Sequence, residues 1–257
     1  MKYVRFCTPD GQRKYGVLTG DTVHECEGDY FSTIEYSGKH YLFDEIRLLA
    51  PSCPSKIVAV GLNDTDHIRE MGFPMPEEPV IFLKPPSAVL EPEGFIEIPE
   101  GEEQVDYEAE FAMVIRKTCR KISKEDAKAY ILGYTCLNDV TVRRVQALDG
   151  QWTRAKGYDT FAPFGPYIED SLNPHETDMK LRLNGDIKQH SNTRKFRFPA
   201  EELLSFVSHV MTLFPGDVIT MGTSSGIGPM VSGDKVEVVL NDEMILRNKV
   251  RNGVMRK

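Results

Sequence analysis

The sequence predicts a mostly β fold of the α+β class with few helices. Short segments rich in β-branched and aromatic residues, separated by turn dipeptides, outnumber segments with helical spacing in the 257-residue chain. Strands and helices do not alternate regularly, which disfavours a doubly wound sheet or a TIM barrel. Hydrophobic residues make up 40% of the chain, so we expect an ordered protein with a large core.

The first 53 residues are predicted to form a small N-terminal β-domain. KYVRFC, KYGVLT and TVHEC are strand-like segments separated by Asp-Gly and Gly-Asp dipeptides, a pattern typical of a β-meander. The proline-flanked segment PSCPS then interrupts this pattern. We therefore expect a domain of residues 1–53 followed by a main domain of residues 54–257.

The main domain is predicted to contain three helices among its strands. The helices are a short one over 64–71 that ends at Gly72, one over 123–130 behind a capping box, and an amphipathic helix in AEELLSFVSHVMTL. The strands are predicted, in chain order, in KIVAVGL, VDYEAEFAMVI, ILGYTCLND and the hairpin MKLRL-NG-DIKQH. The remainder, FPGDVITMGTSSGIGP followed by DKVEVVL and MILRNKV, is predicted to form strands around a glycine-rich loop.

Three carboxylates form a candidate metal site. In VDYEAEFAMVI the apolar residues recur at every second position, which places Glu108 and Glu110 on one strand face with Cα atoms about 6.6 Å apart. Asp139 ends another strand about 30 residues later. Hard oxygen donors without a neighbouring Cys or His favour Mg²⁺ or Mn²⁺, with Ca²⁺ as a further option, over zinc. A solvated strand face is the competing interpretation of Glu108 and Glu110.

His67 and Glu70 form a candidate acid–base pair. They are three residues apart on the predicted short helix, so the carboxylate can fix the imidazole tautomer and raise its basicity. We interpret the pair as a general base for water, against the alternative that His67 is only structural.

Polar and cationic residues follow Asp139. Arg143 and Gln146 come at spacings of four and three, so one helical turn is predicted to direct all three side chains the same way. Lys156 lies four residues after the only tryptophan, Trp152. A core tryptophan and surface cations are the alternative interpretation.

Charge and composition exclude several classes of protein. The formal charge is −8 and no basic run occurs, so we expect no nucleic-acid partner. No apolar stretch is long enough to cross a membrane and no signal peptide is evident, which predicts a cytoplasmic protein. Five cysteines without a C-x-x-C spacing indicate neither a disulfide framework nor a zinc cluster. The G-x-S-x-G pattern at Gly222 has no histidine after it, which excludes an α/β-type serine hydrolase.

From Lys56 to Asn248 the chain resembles the fumarylacetoacetate hydrolase family. The resemblance rests on many blocks in the same order: KIVAVGLNDTDHIREMG, PVIFLKPPSAV, VDYEAEFAMVI, GYTCLNDVTVRRVQ, GQWTRAKGYDTFAPFGP, LNGDIKQHSNT, LFPGDVITMGTSSGIGP and GDKVEVVL. It implies a multi-layer β-sheet fold, a homodimer and a divalent metal on the three carboxylates. The substrate it implies is a small 2-oxo or 2,4-dioxo carboxylic acid.

The resemblance also implies roles for the remaining residues. His67 and Glu70 are expected on a lid that activates water, and Lys156 adds positive charge where the substrate becomes negative. Contacts to the substrate are expected from Arg143, Gln146 and Thr223.

Cleavage of a C–C bond in an acylpyruvate-like 2,4-dioxo acid is therefore the predicted reaction. Decarboxylation or isomerisation of a 2-oxo or 2-hydroxy-dienoic dicarboxylic acid at the same metal is the alternative. A non-catalytic protein that binds a 2-oxo acid or a metal is the second alternative. Asp64, Arg144 and Ser224 depart from the usual family pattern, and we expect the first two to alter the pocket near the substrate.

Overall fold

The computed structural model describes residues 1–253 and confirms a mostly β fold with few helices. In chain order the strands are β1 (Lys2–Cys7), β2 (Arg13–Thr19), β3 (Thr22–Cys26), β4 (Tyr36–Leu42), β5 (Arg47–Leu48), β6 (Ile57–Gly61), β7 (Val80–Lys84), β8 (Val89–Leu90), β9 (Phe95–Ile98), β10 (Val105–Tyr107), β11 (Ala109–Ile115), β12 (Ile131–Asn138), β13 (Thr141–Val142), β14 (Ala162–Glu169), β15 (Asp178–Leu183), β16 (Asp186–Asn192), β17 (Val218–Thr223), β18 (Gly228–Pro229), β19 (Lys235–Leu240) and β20 (Met244–Asn252).

Helices are few and short. They are α1 (Thr65–Glu70), α2 (Arg143–Asp149), α3 (Thr153–Lys156) and α4 (Ala200–Val210), with 3₁₀ turns at Pro86–Ala88, Ala127–Tyr130 and Thr193–Lys195. Between residues 1 and 253, none of these helices has the length and apolar character needed to cross a membrane.

The strands form three sheets within the described residues. The largest runs β4-β3-β2-β1-β14-β12-β11-β17-β6-β7, with β5 beside β1 and β8 beside β14. A second sheet runs β16-β15-β19-β20-β9, and a small one runs β13-β10-β18. Strand β11 is buried at every position, so it forms the centre of the core between β12 and β17.

The N-terminal strands continue the largest sheet. Lys2 and Tyr3 of β1 pair with Glu169 and Ile168 of β14, and the ring of Tyr3 packs against Tyr30 at 5.3 Å. The segment PSCPS, where the sequence predicts a domain boundary, connects this region to β6, which begins at Ile57. The division at residue 53 stays a prediction, and the two parts share one sheet.

Most predicted elements form where the pattern placed them, and two differ. The capping box at Ser123 precedes a 3₁₀ turn instead of an α-helix. The strand predicted over 105–115 is broken at Glu108, so β10 and β11 belong to different sheets. At this break the backbone N–H groups of Glu108 and Ala109 donate to side-chain oxygens of Asn138 and Gln189, each at 2.9 Å. These bonds replace the strand-pairing hydrogen bonds that are lost at the break, so the buried backbone N–H groups keep partners.

Candidate metal centre and active-site pocket

A cavity of about 250 Å³ gathers the predicted site residues on its wall. It lies at the N-terminal end of β11, where the chain passes from the sheet of β10 to the sheet of β11. The predicted residues on its wall are His67, Glu108, Glu110, Asp139, Arg143, Gln146, Lys156 and Thr223. Glu70 is not on the wall itself and reaches the site through its contact with His67.

Strand pairing brings the three carboxylates together. Ala109 pairs with Asn138 across β11 and β12, and the backbone N–H of Asp139 donates to the carbonyl of Glu108 at 2.8 Å. The residue that follows β12 therefore lies beside Glu108 and Glu110. One carboxylate oxygen from each residue lies within 4.8 Å of the others, and all three residues are buried. This arrangement of hard oxygen donors fits a divalent cation.

Glu110 is the carboxylate in this group with the least compensation. Its Oε2 accepts hydrogen bonds from the hydroxyl of Thr220 and from the backbone N–H of Gly222, the latter at 2.9 Å. Neither donor is a cation. Burial, together with the negative charge of Asp139, raises the pKa of Glu110 well above its ordinary value of 4.5. A bound cation would supply the missing positive charge, which is a second observation that the site fits a metal.

Lys156 and Arg143 bind Glu108 from two sides. Lys156 Nζ lies 2.7 Å from Glu108 Oε2 and also contacts Asp139. Arg143 donates to Glu108 Oε1 at 2.7 Å and to Asp106 at 2.8 Å. Burial alone would raise the pKa of Glu108, but these two cations outweigh it and lower the pKa to about 2. Glu108 is therefore ionised at neutral pH, as a metal ligand must be, and its two oxygens are paired with Arg143 and Lys156 in this structure.

Lys84 is a part of the site that sequence reasoning missed. The lysine ends β7, is fully buried, and donates to Asp139 Oδ1 and to the carbonyl of Val140. Burial lowers the pKa of Lys84, against the opposing effect of Asp139. The signal was a lysine at the end of the apolar segment VIFLK, directly before two prolines, where a buried lysine requires a carboxylate partner.

The short helix α1 holds the predicted acid–base pair over the cavity. His67 Nδ1 lies 3.2 Å from Glu70 Oε2, and His67 is 8% exposed. Glu70 Oε1 also accepts from the backbone N–H of Gly226 at 3.3 Å, which connects α1 to the glycine-rich loop. His67 therefore lines the same cavity as the three carboxylates, while Glu70 is held outside the wall.

Thr223 stands on the other side of the site, at the end of β17. Its hydroxyl donates to the carbonyl of Ala109 and accepts from Gln189 Nε2, both at 2.9 Å. The preceding Gly222 has φ +94°, and a Cβ there would lie 3.0 Å from Asn63. Glycine is therefore required at this irregular position of β17, directly before Thr223 on the pocket wall.

Two sequence-based interpretations of this region are wrong. Asp139 is not on the helical turn with Arg143 and Gln146, because α2 begins at Arg143 and Asp139 follows β12 directly. The three side chains reach the same cavity through a strand end and a helix start. Asp64 does not line the pocket, since it is fully buried and caps α1.

The other two departures also lie away from the cavity wall. Arg144 has a side chain 62% exposed and pairs with Glu102 at 2.6 Å, so it adds no cation to the pocket. Ser224 is buried on the glycine loop, where its carbonyl accepts from Gln189 at 2.8 Å.

The fold and the buried acidic cluster together define a class of enzyme with a candidate divalent-metal site at the end of a central strand. The chain belongs to the fumarylacetoacetate hydrolase family: the model for the fumarylacetoacetate (FAA) hydrolase C-terminal domain matches residues 56–251. The model of an N-terminal domain described as Rv2993c-like matches residues 1–51. The resemblance inferred from sequence blocks is confirmed.

Relatives in this family carry out different reactions. The chain is 41% identical over 219 residues to the mitochondrial oxaloacetate tautomerase FAHD2A of Bos taurus. This alignment covers 80% of this chain and 70% of that protein. The solved structure of 2-hydroxyhepta-2,4-diene-1,7-dioate isomerase from Mycobacterium marinum has a TM-score of 0.92 and 37% identity, with 100% of both chains covered.

A hydrolase of the same fold has been solved with a metal. The structure of maleylpyruvate hydrolase from Sphingobium sp. SYK-6 in complex with manganese(II) and pyruvate has a TM-score of 0.81 and 29% identity, and covers 99% of this chain and 100% of that one. The family thus includes hydrolases, isomerases and tautomerases.

Proposed function

We propose that the protein is a divalent-metal-dependent hydrolase that cleaves a C–C bond in an acylpyruvate-like 2,4-dioxo acid. The observation that carries the proposal is that His67, which lies 3.2 Å from Glu70, lines the same cavity as the three carboxylates. Hydrolysis needs a base for water next to a site for the dioxo group, and this cavity offers both.

Glu108, Glu110 and Asp139 would hold Mg²⁺ or Mn²⁺. Once bound, the metal would act as a Lewis acid for the negative charge that develops on the substrate oxygens. Around this position Arg143, Gln146 and Thr223 orient the pyruvate end of the substrate. Lys156 places an ammonium group where the charge develops, which favours the transition state over the ground state.

The His67–Glu70 pair would activate the water molecule that acts as the nucleophile. Glu70 fixes His67 so that its other ring nitrogen can take a proton from water, whose oxygen then bonds to C4 of the substrate. The C3–C4 bond breaks, its electron pair passes to C3, and C3 is protonated. The products are a carboxylic acid and pyruvate, and the atoms of water are divided between them.

The test uses acetylpyruvate with Mg²⁺. We expect His67→Ala to lower kcat by about 10²- to 10⁴-fold, with the affinity for oxalate and metal unchanged. His175→Ala is the matched control, because His175 also pairs with a glutamate, Glu201 at 3.1 Å, but is exposed and outside this cavity. Turnover that survives both Glu108→Ala and a chelator would exclude the proposal.

Isomerisation or tautomerisation of a 2-oxo or 2-hydroxy-dienoic acid is the second candidate, and decarboxylation of an oxaloacetate-like acid belongs with it. The relatives named as an oxaloacetate tautomerase and an isomerase favour it. None of these reactions requires a water nucleophile, so His67→Ala should leave such an activity largely intact. Ketonisation of enol-oxaloacetate, followed by its absorbance in both variants, distinguishes the two candidates.

A homodimer is part of the proposal, as is the absence of a nucleic-acid or membrane partner. Light scattering after size-exclusion chromatography should give a mass of twice 29.1 kDa. A protein that binds oxalate with Mg²⁺ but turns over no member of a 2-oxo acid panel would instead be a binding protein.

A further inference from the structure

The side chains that line the cavity fall into a charged group and an apolar group. The charged group contains the three carboxylates, Arg143 and Lys156. The apolar group, called the apolar side below, contains Leu62, Met71, Phe73, Phe82, Ala147 and Trp152. The two groups meet at Phe82, whose ring centre lies 5.2 Å from Lys156 Nζ. A substrate that places its pyruvate end at the charged group has the apolar side chains available to contact the rest of its length.

Trp152 is the largest surface on the apolar side, and its position is fixed by two neighbours. Its ring meets that of Phe82 at 5.2 Å in an edge-to-face arrangement. Gly61 lies directly beneath the indole, since a Cβ at this position would come within 2.5 Å of a ring carbon. Any larger residue at position 61 would therefore displace the Trp152 ring.

Arg143 and Lys156 are the lysine and arginine residues that line the cavity, and the proposed function places both at the pyruvate end of the substrate. Within the part of the chain that the structure describes, Arg143 donates to Asp106 and Glu108, and Lys156 donates to Glu108 and Asp139. Lys84 is bound to Asp139 and fully buried behind the site. Arg144 is paired with Glu102 outside the cavity. Among the described residues that line the cavity, a second carboxylate at the far end of a substrate would find no further lysine or arginine.

We propose that the enzyme selects substrates in which the group carried on C4 is uncharged and apolar, an alkyl or aryl chain, and discriminates against acyl groups that end in a carboxylate. This inference rests on the proposed function, because it takes the pyruvate end of the substrate to lie at the carboxylates. An apolar chain gains binding free energy when it leaves water and contacts the apolar side. A carboxylate on that side loses its hydration without a partner.

Binding of two isosteric 2-oxo acids tests the selectivity without any bond cleavage. 2-Oxoglutarate and 5-methyl-2-oxohexanoate have the same shape, and differ in a terminal carboxylate against an isopropyl group. With the protein loaded with Mg²⁺, calorimetry should show the isopropyl compound binding about tenfold more tightly or better, because the carboxylate loses part of its hydration without gaining a partner; the loss is partial, since Met71 and Phe73 are 40% and 49% exposed.

Variants of α2 provide the control. Ala147 lines the cavity, whereas its neighbour Leu148 is 68% exposed. Ala147→Arg should reverse or abolish the preference by supplying a cation to the terminal carboxylate, and Leu148→Arg should leave the preference unchanged. Trp152→Ala should weaken binding of the isopropyl compound about tenfold or more, through the lost apolar contact, with pyruvate binding unchanged.

The outcomes separate this inference from the proposed function. If 2-oxoglutarate binds as tightly as the isopropyl compound or more tightly, the selectivity is wrong while the 2-oxo acid site stands. If neither compound binds in the presence of Mg²⁺, both the selectivity and the proposed function are wrong. Hydrolysis of 4-methylpentanoylpyruvate in preference to succinylpyruvate, measured as kcat/KM, would extend the result to turnover.

Discussion

Lys84 and Asp139 form an ion pair in which both side chains are excluded from solvent, with exposed fractions of 0% and 1%. The lysine binds Oδ1 of Asp139, and Lys156 contacts Oδ2. Because both oxygens are bound, the orientation of the Asp139 carboxylate is fixed beside Glu108, with which it shares Lys156. The pair thus positions a candidate metal ligand from outside the cavity wall.

Removal of this buried cation should destabilise the protein strongly. Lys84→Met leaves the charge of Asp139 buried with one partner fewer, and we expect a loss of about 3–5 kcal/mol in the free energy of unfolding. Urea unfolding followed by circular dichroism measures it. Lys188→Met is the control, since Lys188 is 39% exposed and pairs with the exposed Asp186, and it should change stability by less than about 1 kcal/mol. In a double-mutant cycle, Lys84→Met with Asp139→Asn should lose less than the sum of the single changes; an additive result would contradict the coupling.

Glu110 should link metal binding to pH and stability. Its raised pKa means that, above its ordinary pKa of 4.5, the unfolded chain releases a proton that the folded chain retains. The unfolded state then binds fewer protons, so the metal-free protein becomes less stable as pH rises through this window. Mg²⁺ should therefore raise Tm more at pH 8 than at pH 5, which thermal denaturation in both buffers measures.

Glu110→Gln is the matched variant for this effect. It keeps the shape of the side chain and removes the charge, so the metal-free variant should be at least as stable as the natural chain at pH 8. Its Tm should no longer respond to Mg²⁺. A metal response of natural size in this variant would show that Glu110 is not a ligand.

Glu108 should have the opposite pH dependence. Its pKa is lowered from 4.5 to about 2, so its ionised form stabilises the fold above pH 4.5, and this contribution is lost as pH falls through about 2. The difference in unfolding free energy between the natural chain and Glu108→Gln should therefore be large at pH 7 and shrink toward pH 2. Glu91→Gln, which removes an exposed partner of Arg47, should show a small difference at both pH values.

Asp64 should position His67 through the helix that carries it. Asp64 Oδ1 accepts from the backbone N–H groups of Asp66 and His67 at 2.9 and 3.2 Å, and Oδ2 accepts from Ser191 at 2.7 Å. Asp64→Ala should cost about 1 kcal/mol of stability and lower kcat by about tenfold or more, since a small displacement of the base is costly. Asp66→Ala is the control: it removes the surface bonds to Arg69 and Lys195 and should leave kcat within twofold. Equal loss of kcat in the two variants would contradict a positioning role.

Most of the candidate site could be predicted from local patterns in the sequence. The alternating apolar residues identified β11 and the two glutamates at its start, Glu110 within the strand and Glu108 just before it, and the three-residue spacing on α1 paired His67 with Glu70. Such features depend only on the period of a strand or helix, which the local sequence carries. The break at Glu108 was missed, because it depends on amide side chains of Asn138 and Gln189 that come from distant strands.

The sequence by itself determined the mostly β fold class, the family and the residue types that converge on the cavity. Only the tertiary structure decided which of these residues are buried together and what compensates their charges. The structure adds Lys84 to the site, because β7 ends beside Asp139. It excludes Asp64 from the cavity wall, because the Asp64 side chain is buried and caps α1. The physical reason is that the energy of a charged group depends on burial and on partners far apart in the chain, and neither is encoded in local spacing.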